Sequence, residues 1–334
     1  MAGIDITEPP TTPDFVRFPA ESGPRFILTV DTEEEFDWDE PIDRHRHSLV
    51  TVPMLRKFQQ FCEGVGVVPI YLMDFPIANS PAAVEALGEA IAGGRAEVGI
   101  QLHPWVSPPF EEEVNERNSF AGNLPVALER EKLLRLRDLI AANFGKQPLI
   151  YRAGRYGLGA NSAAILTEAG VAIDTSVRSL FDYSSGGGPC YRDHPLDPYW
   201  IDRGSRLLEL PLTTVFWGSL RRFGAALYPR LWRVPRLRGA LARIGLLERI
   251  PLTPEGVSAE EVIRAIDIAV AEGRPILVFS FHSPSLAPGH TPYVRNEADL
   301  DAFYDWWRTV FAHLAKRGVK PSCVKDVLES VALA

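Results

Sequence analysis

Several apolar runs in this chain stop at a residue that can carry, share or fix a proton. "RFILTV" runs into "DTEEEFDW", which begins at Asp31 and includes Glu33 and Trp38. "EVGIQLHPW" ends on Gln101, His103 and Trp105, "LIYRAGRYG" carries Arg152 and Tyr156, "VAIDTSV" carries Asp174, and "ILVFSFHSP" ends on His282. A carboxylate and an imidazole at strand tips are the usual parts of a general base and a general acid. Residues two apart on a strand share a side, so Asp31 sides with Glu33, and Gln101 with His103. The second pair reads as a metal site, an acid–base pair or a capped strand end. Glu33 and His103, with Gln101 or Asp31, make a set that a divalent ion could use, although a neutral amide is a poor zinc ligand. Arg152 sits among apolar residues and needs a carboxylate partner, for which Asp31 is suited.

Such residues act together only if the strands bring them together. Strand patterns recur at 25–30, 67–73, 97–102, 148–153, 171–177, 206–212, 275–281 and 319–324. Amphipathic helical segments lie between many of them, such as "SAEEVIRAIDIAVAEG" with its Ser258–Glu261 capping box. Alternating strands and helices predict βαβ units around a mostly parallel sheet. Seven or eight units favour a barrel, whose C-terminal strand ends share one mouth. The predicted class is α/β, a distorted (β/α)7-type barrel with a helical, Arg-rich insertion. The expected division is a loose leader at 1–24 and one barrel domain at 25–334, interrupted at about 216–250.

The chain has 334 residues, 46% of them hydrophobic, and a net charge of −8. That is enough chain for a large core, and the charge argues against nucleic acid as a partner. No glycine-rich phosphate loop and no C-x-x-C motif occurs among its residues. No apolar stretch approaches the ~18 residues of a membrane span, and the start does not resemble a signal peptide. A cytoplasmic location is the expectation. Residues 216–250 are rich in arginine and nearly lack acids. They read either as a solvated basic face or as a contact for a membrane surface or a lipid-linked sugar.

With these residues in view, the chain resembles the polysaccharide deacetylase (NodB-homology) family, carbohydrate esterase family 4. The resemblance is to the intracellular-type branch with "DTEEEFDW", "HPW…PPFEE" and "FHSPSL", here Asp31–Trp38, His103–Glu112 and Phe281–Leu286. It spans about residues 25–325. It implies a distorted (β/α)7 barrel that removes acetyl groups from sugars with a divalent metal, zinc or a similar ion. It also implies Asp31 as base, Arg152 as its partner, Asp174 as the residue orienting the acid, and His282 as the acid. The metal half departs from the family pattern. Thr32 stands where the family has an aspartate ligand, and no pair of histidines four apart is present.

The expected function is therefore a hydrolase that takes the acetyl group from an N-acetylated saccharide, with Trp38, Trp105 and Tyr156 stacking on the sugar. The rival readings are another C–N amide hydrolase on the same fold, and a catalytically silent barrel that binds a glycan or a partner.

Overall fold

The computed structural model describes residues 4–19, 23–231 and 234–332. The strands are β1 (Arg25–Thr32), β2 (Pro69–Met73), β3 (Glu97–Leu102), β4 (Ile150–Ala153), β5 (Ile173–Asp174), β6 (Tyr199–Asp202), β7 (Leu207–Glu209), β8 (Thr214–Trp217), β9 (Glu248–Pro251), β10 (Ile276–His282) and β11 (Lys320–Pro321). The main sheet runs β10-β1-β2-β3-β4-β5-β7-β6, with β11 also on β1. Its pairings are parallel except that of β6 with β7. The sheet curls into part of a barrel. Irregular backbone bridges the side between β7 and β10: the Val278 N–H donates to Thr213 Oγ1 at 2.8 Å, and the Ser280 N–H to the Leu252 carbonyl at 3.2 Å. The architecture is the distorted α/β barrel expected from the alternation of strands and helices.

The helices are α1 (Met54–Gly64), α2 (Phe75–Ala78), α3 (Pro81–Ala92), α4 (Val126–Phe144), α5 (Ser162–Glu168), α6 (Gly224–Leu231), α7 (Pro235–Arg243), α8 (Ala259–Ala271), α9 (Glu297–Lys316) and α10 (Val324–Ala332). Sequence-level start signals hold where they occur. Ser258 accepts from the Glu261 N–H while the Glu261 carboxylate accepts from the Ser258 N–H, which satisfies donors the helix itself cannot.

Strand parity separates two apolar layers. Ile27, Ile70, Leu72, Ile150, Ile173, Leu208 and Val278 pack together inside the barrel. Phe26, Leu28, Tyr71, Tyr151, Phe279 and Phe281 pack outward with the helices. There Trp307 of α9 is fully buried, its ring 5.7 Å from Phe281 and 5.1 Å from Phe311. Truncating such a side chain to alanine costs ~3–5 kcal/mol. Val324, Val327 and Val331 of α10 join the inner layer. The Val324 N–H donates to Glu97 at the start of β3, so α10 corks the barrel at the N-terminal ends of its strands.

Two segments differ from their sequence reading. The composition of the leader predicts a loose segment, yet at 4–19 Ile6 and Val16 are buried and Phe15 bridges to Tyr199. Apolar side chains scattered among prolines suffice to lay it on the barrel. The Arg-rich region is not wholly helical: β8 and β9 form an antiparallel ribbon at its base, with α6 and α7 between them. No helix among the described residues is long and apolar enough to cross a membrane.

Candidate active site

The inward parity of β1 continues from Ile27 through Thr29 to Asp31, and this carries the aspartate to the barrel mouth. Asp31 is the register partner of His282 on β10, and Gln101 of β3 is that of Arg152 on β4. Arg152 is fully buried and pairs with Asp31 through Nη1. Its Nη2 donates to Thr29 Oγ1 at 2.8 Å, and its Nε to the Thr175 carbonyl at 3.1 Å. A buried guanidinium persists only with its N–H groups and charge matched this way. The Arg152–Asp31 partnership expected from the sequence is present.

His282 presents Nε2 to Asp31, 3.7 Å from Oδ2. Its Nδ1 donates to Glu255 Oε2 at 2.7 Å, while its backbone N–H donates to Glu255 Oε1 at 3.0 Å. The Ser285 hydroxyl donates to Glu255 Oε1 as well, at 2.8 Å. Burial pushes the His282 imidazolium toward losing its proton, but Glu255, Glu33 and Asp31 outweigh it and hold the pKa up at about 10. This overturns one assignment carried by the resemblance. Asp174, given there as the residue that orients His282, lies on the opposite parity from the inward Ile173. Its Oδ1 accepts from Ser176 at 2.6 Å, and it is no part of the cleft lining. Glu255, from the loop between β9 and α8, holds the ring instead.

Glu33, Gln101 and His103 gather at the same mouth, all buried. Gln101 Nε2 donates to Glu33 Oε2 at 3.3 Å, and His103 Nε2 lies 3.5 Å from that oxygen. Burial dominates at Glu33 and lifts its pKa to about 8, against the pull of His282 and His103. Behind His103 lies a group that sequence reasoning missed. Glu34, Asp74 and His103 place three ligand atoms within 4.8 Å of one another, close enough to hold a metal ion. Their atoms already have partners, however. His103 Nδ1 is 3.0 Å from Glu34 Oε2, Trp105 Nε1 donates to Glu34 Oε1 at 2.8 Å, and the N–H groups of Glu34 and Ile77 donate to Asp74. Such carboxylates commonly orient a ligating histidine from behind. Held at Nδ1, His103 turns Nε2 toward Glu33 and the cleft. There Gln101 Oε1 is buried with no hydrogen-bond partner among the described residues. A carboxylate, an imidazole nitrogen and an unpartnered amide oxygen form a donor set that fits a divalent cation.

The cleft over these groups has a volume of about 710 Å³. Trp38, Trp105 and Tyr156 all line it. Trp105 stacks on His103 at 4.3 Å, so it supports the histidine as well as the wall. Trp38 meets the His282 ring edge-on at 5.0 Å. Arg155 and Tyr156 stand at φ 53° and 60°, a left-handed conformation that non-glycine residues adopt at a cost of ~1–3 kcal/mol each and that gathers at functional sites. Gly154 just before them is obligatory: a Cβ there would lie 2.4 Å from His103 Cδ2. Buried Lys132 of α4 clamps the loop after β3, donating to the carbonyls of Pro104, Ser107 and Pro109 and pairing with Glu112.

Neither a family profile nor a curated protein sequence matches the chain. Solved structures do. The chain is similar to a candidate polysaccharide deacetylase from Mycobacterium smegmatis, at 18% identity and a TM-score of 0.46, over 94% of this chain and 98% of that one. It is similar to the 4-alpha-glucanotransferase of Thermococcus litoralis, at 14% identity and a TM-score of 0.52, over 92% of this chain and 40% of that one. It is also similar to a CE4 family pseudoenzyme from Bacillus anthracis, at 8% identity and a TM-score of 0.45, over 96% of this chain and 69% of that one. At these identities the likeness speaks for the fold alone.

Proposed function

We propose that the chain is a deacetylase that hydrolyses the amide of an N-acetylated saccharide. The observation that carries this reading is the pairing of Asp31 with His282 across one register position, each backed by its own partner, Arg152 or Glu255. In this reading Asp31 takes a proton from water, and the water oxygen bonds to the acetyl carbon. His282 gives its proton to the amide nitrogen, the C–N bond breaks, and acetate and a free amine remain. Amines leave poorly unless protonated, so the acid is the more demanding role. A divalent ion held by Glu33 and His103, with Gln101 beside them, would supply positive charge for the acyl oxygen and an acidified water. Trp38 and Tyr156 offer ring faces to a sugar.

The test is acetate release from N-acetylated oligosaccharides by the wild-type chain and by His282→Ala, with small cyclic amides beside them. Release from saccharides that the variant loses supports the reading. Equal rates in both chains, or turnover of cyclic amides alone, overturns it.

The insertion supports a proposal about where this chemistry takes place. Between Gly218 and Leu247 the sequence has seven arginines and no acidic residue. Phe223 and Ile244 are 62% and 67% exposed, and Val234 and Leu237 are exposed beside them. Apolar tips in a stretch that has arginines and no acidic residue suit the surface of an anionic membrane.

A further inference from the structure

We propose that Arg178 is an anion subsite of the cleft, and that the saccharide substrate carries an acidic substituent, a carboxylate or a sulfate, near its acetamido group. This deepens the deacetylase reading and rests on it for the acetamido group alone. Arg178 lines both the main cleft and a smaller recess of about 80 Å³, and His282 borders the same two cavities. The two other arginines that line the cleft have acidic partners: Arg152 pairs with Asp31, and Arg155 lies 3.5 Å from Glu116. Arg178 has no carboxylate within 4.0 Å among the described residues. It is held by neutral groups instead. Its guanidinium lies 4.0 Å from the Phe181 ring centre and 5.4 Å from that of Tyr156, and Nη1 donates to Tyr183 Oη at a long 3.4 Å.

Aromatic faces fix the plane of a guanidinium without cancelling its charge. A half-buried cation in that state has lost part of its water and gained no counter-ion, which is unfavourable until a ligand supplies one. Planar two-point donors match carboxylate and sulfate oxygens. The Arg249 guanidinium, 3.3 Å from the centre of the same Phe181 ring, adds positive potential to this wall. A neutral sugar would leave the Arg178 charge without a counter-ion.

The test measures binding to the full chain in a His282→Ala background, which blocks turnover. The ligands are a tetrasaccharide of alternating N-acetylglucosamine and glucuronate, a 6-sulfated N-acetylglucosamine oligomer, and neutral tetraacetyl-chitotetraose. With Arg178 present, at least one acidic ligand should bind about tenfold tighter than the neutral one, as expected when one charge-assisted pair of hydrogen bonds is gained. Which acidic ligand gains identifies the substituent. Arg178→Gln should bring acidic and neutral ligands within about twofold. Arg178→Lys, which keeps the charge without the fork, should keep part of the preference, and it decides the matter if the glutamine variant melts early. Equal affinities with Arg178, a preference that survives Arg178→Gln, or no saccharide binding at all would overturn the subsite. Charge preference without acetate release by the wild-type chain rejects the deacetylase reading and leaves the subsite. Equal acetate release from acidic and neutral ligands rejects the subsite alone.

Discussion

Asp31 and His282 stand opposite each other in the β1–β10 register, with Nε2 and Oδ2 3.7 Å apart. Behind the aspartate lies Arg152, and behind the histidine lies Glu255. The four side chains therefore run cation, anion, cation, anion across the mouth when His282 is protonated. The two inner charges, Asp31 and His282, each lie between opposite charges, which is how a largely buried site keeps ionised residues at modest cost.

Glu255 sets the proton affinity of His282, so Glu255→Gln should lower it. An acid that must be protonated loses activity as pH rises through its pKa. The alkaline limb of the rate profile should therefore move to lower pH in Glu255→Gln. His282→Ala should lose ~10²–10⁴ in rate. Asp174→Asn should leave the profile in place, since that carboxyl faces away from the cleft. A pH–rate series over the three variants checks this ordering.

Metal content separates the two ways His103 can be used. If Nε2 is the ligand, His103→Ala and Glu33→Gln abolish zinc or manganese binding, whereas Glu34→Gln weakens it by ~10–100-fold, the usual effect of losing a supporting carboxylate. Elemental analysis and metal titration read the difference. Loss on Glu34→Gln and Asp74→Asn with retention in Glu33→Gln would place the ion in the inner triad instead.

Outside the cleft lining, Glu129 of α4 is buried and accepts from Ser162 Oγ at 2.5 Å. Burial outweighs that hydrogen bond and lifts its pKa from 4.5 to about 7. Between those values the folded chain binds a proton that the unfolded chain has lost. This contribution to stability is full below pH 4.5, falls as pH rises through the window, and is flat above about 7. The slope is at most ~1.4 kcal/mol per pH unit. Glu129→Gln removes it, so the variant should gain on the wild type between about pH 5 and pH 8 in urea melts.

Vesicle flotation tests the insertion. The chain should float with phosphatidylglycerol vesicles and stay down with phosphatidylcholine, and salt should weaken the association. Replacing Phe223 and Ile244 by aspartate should cut binding about tenfold or more, because both apolar depth and charge are lost. Equal behaviour on the two lipids would dismiss the membrane proposal.

The strand ends were legible because a polar residue after a long apolar run is conspicuous, and spacing of two correctly put Asp31 with Glu33 and Gln101 with His103. Parity within a strand was legible only where one side is polar. In β5 both faces are buried, so nothing in "VAIDTSV" shows that Ile173 takes the inside and Asp174 the outside. Glu255 left no trace either. It sits in "TPEGVS", which reads as an ordinary turn, and its importance comes from the distant backbone of His282. Glu34 and Asp74 were hidden similarly, one in an acidic run and the other as the cap of α2. The β8–β9 ribbon was missed because its strands are four residues each and 30 residues apart in the chain.

The cork of valines from α10 at the far end of the barrel sets the traffic at the near end. With no through-passage, a polymer cannot thread this molecule like a bead on a string. It must lie across the opening or dip one terminus into it, and under the proposed deacetylase reading the acetate would have to leave through the mouth by which the saccharide arrived.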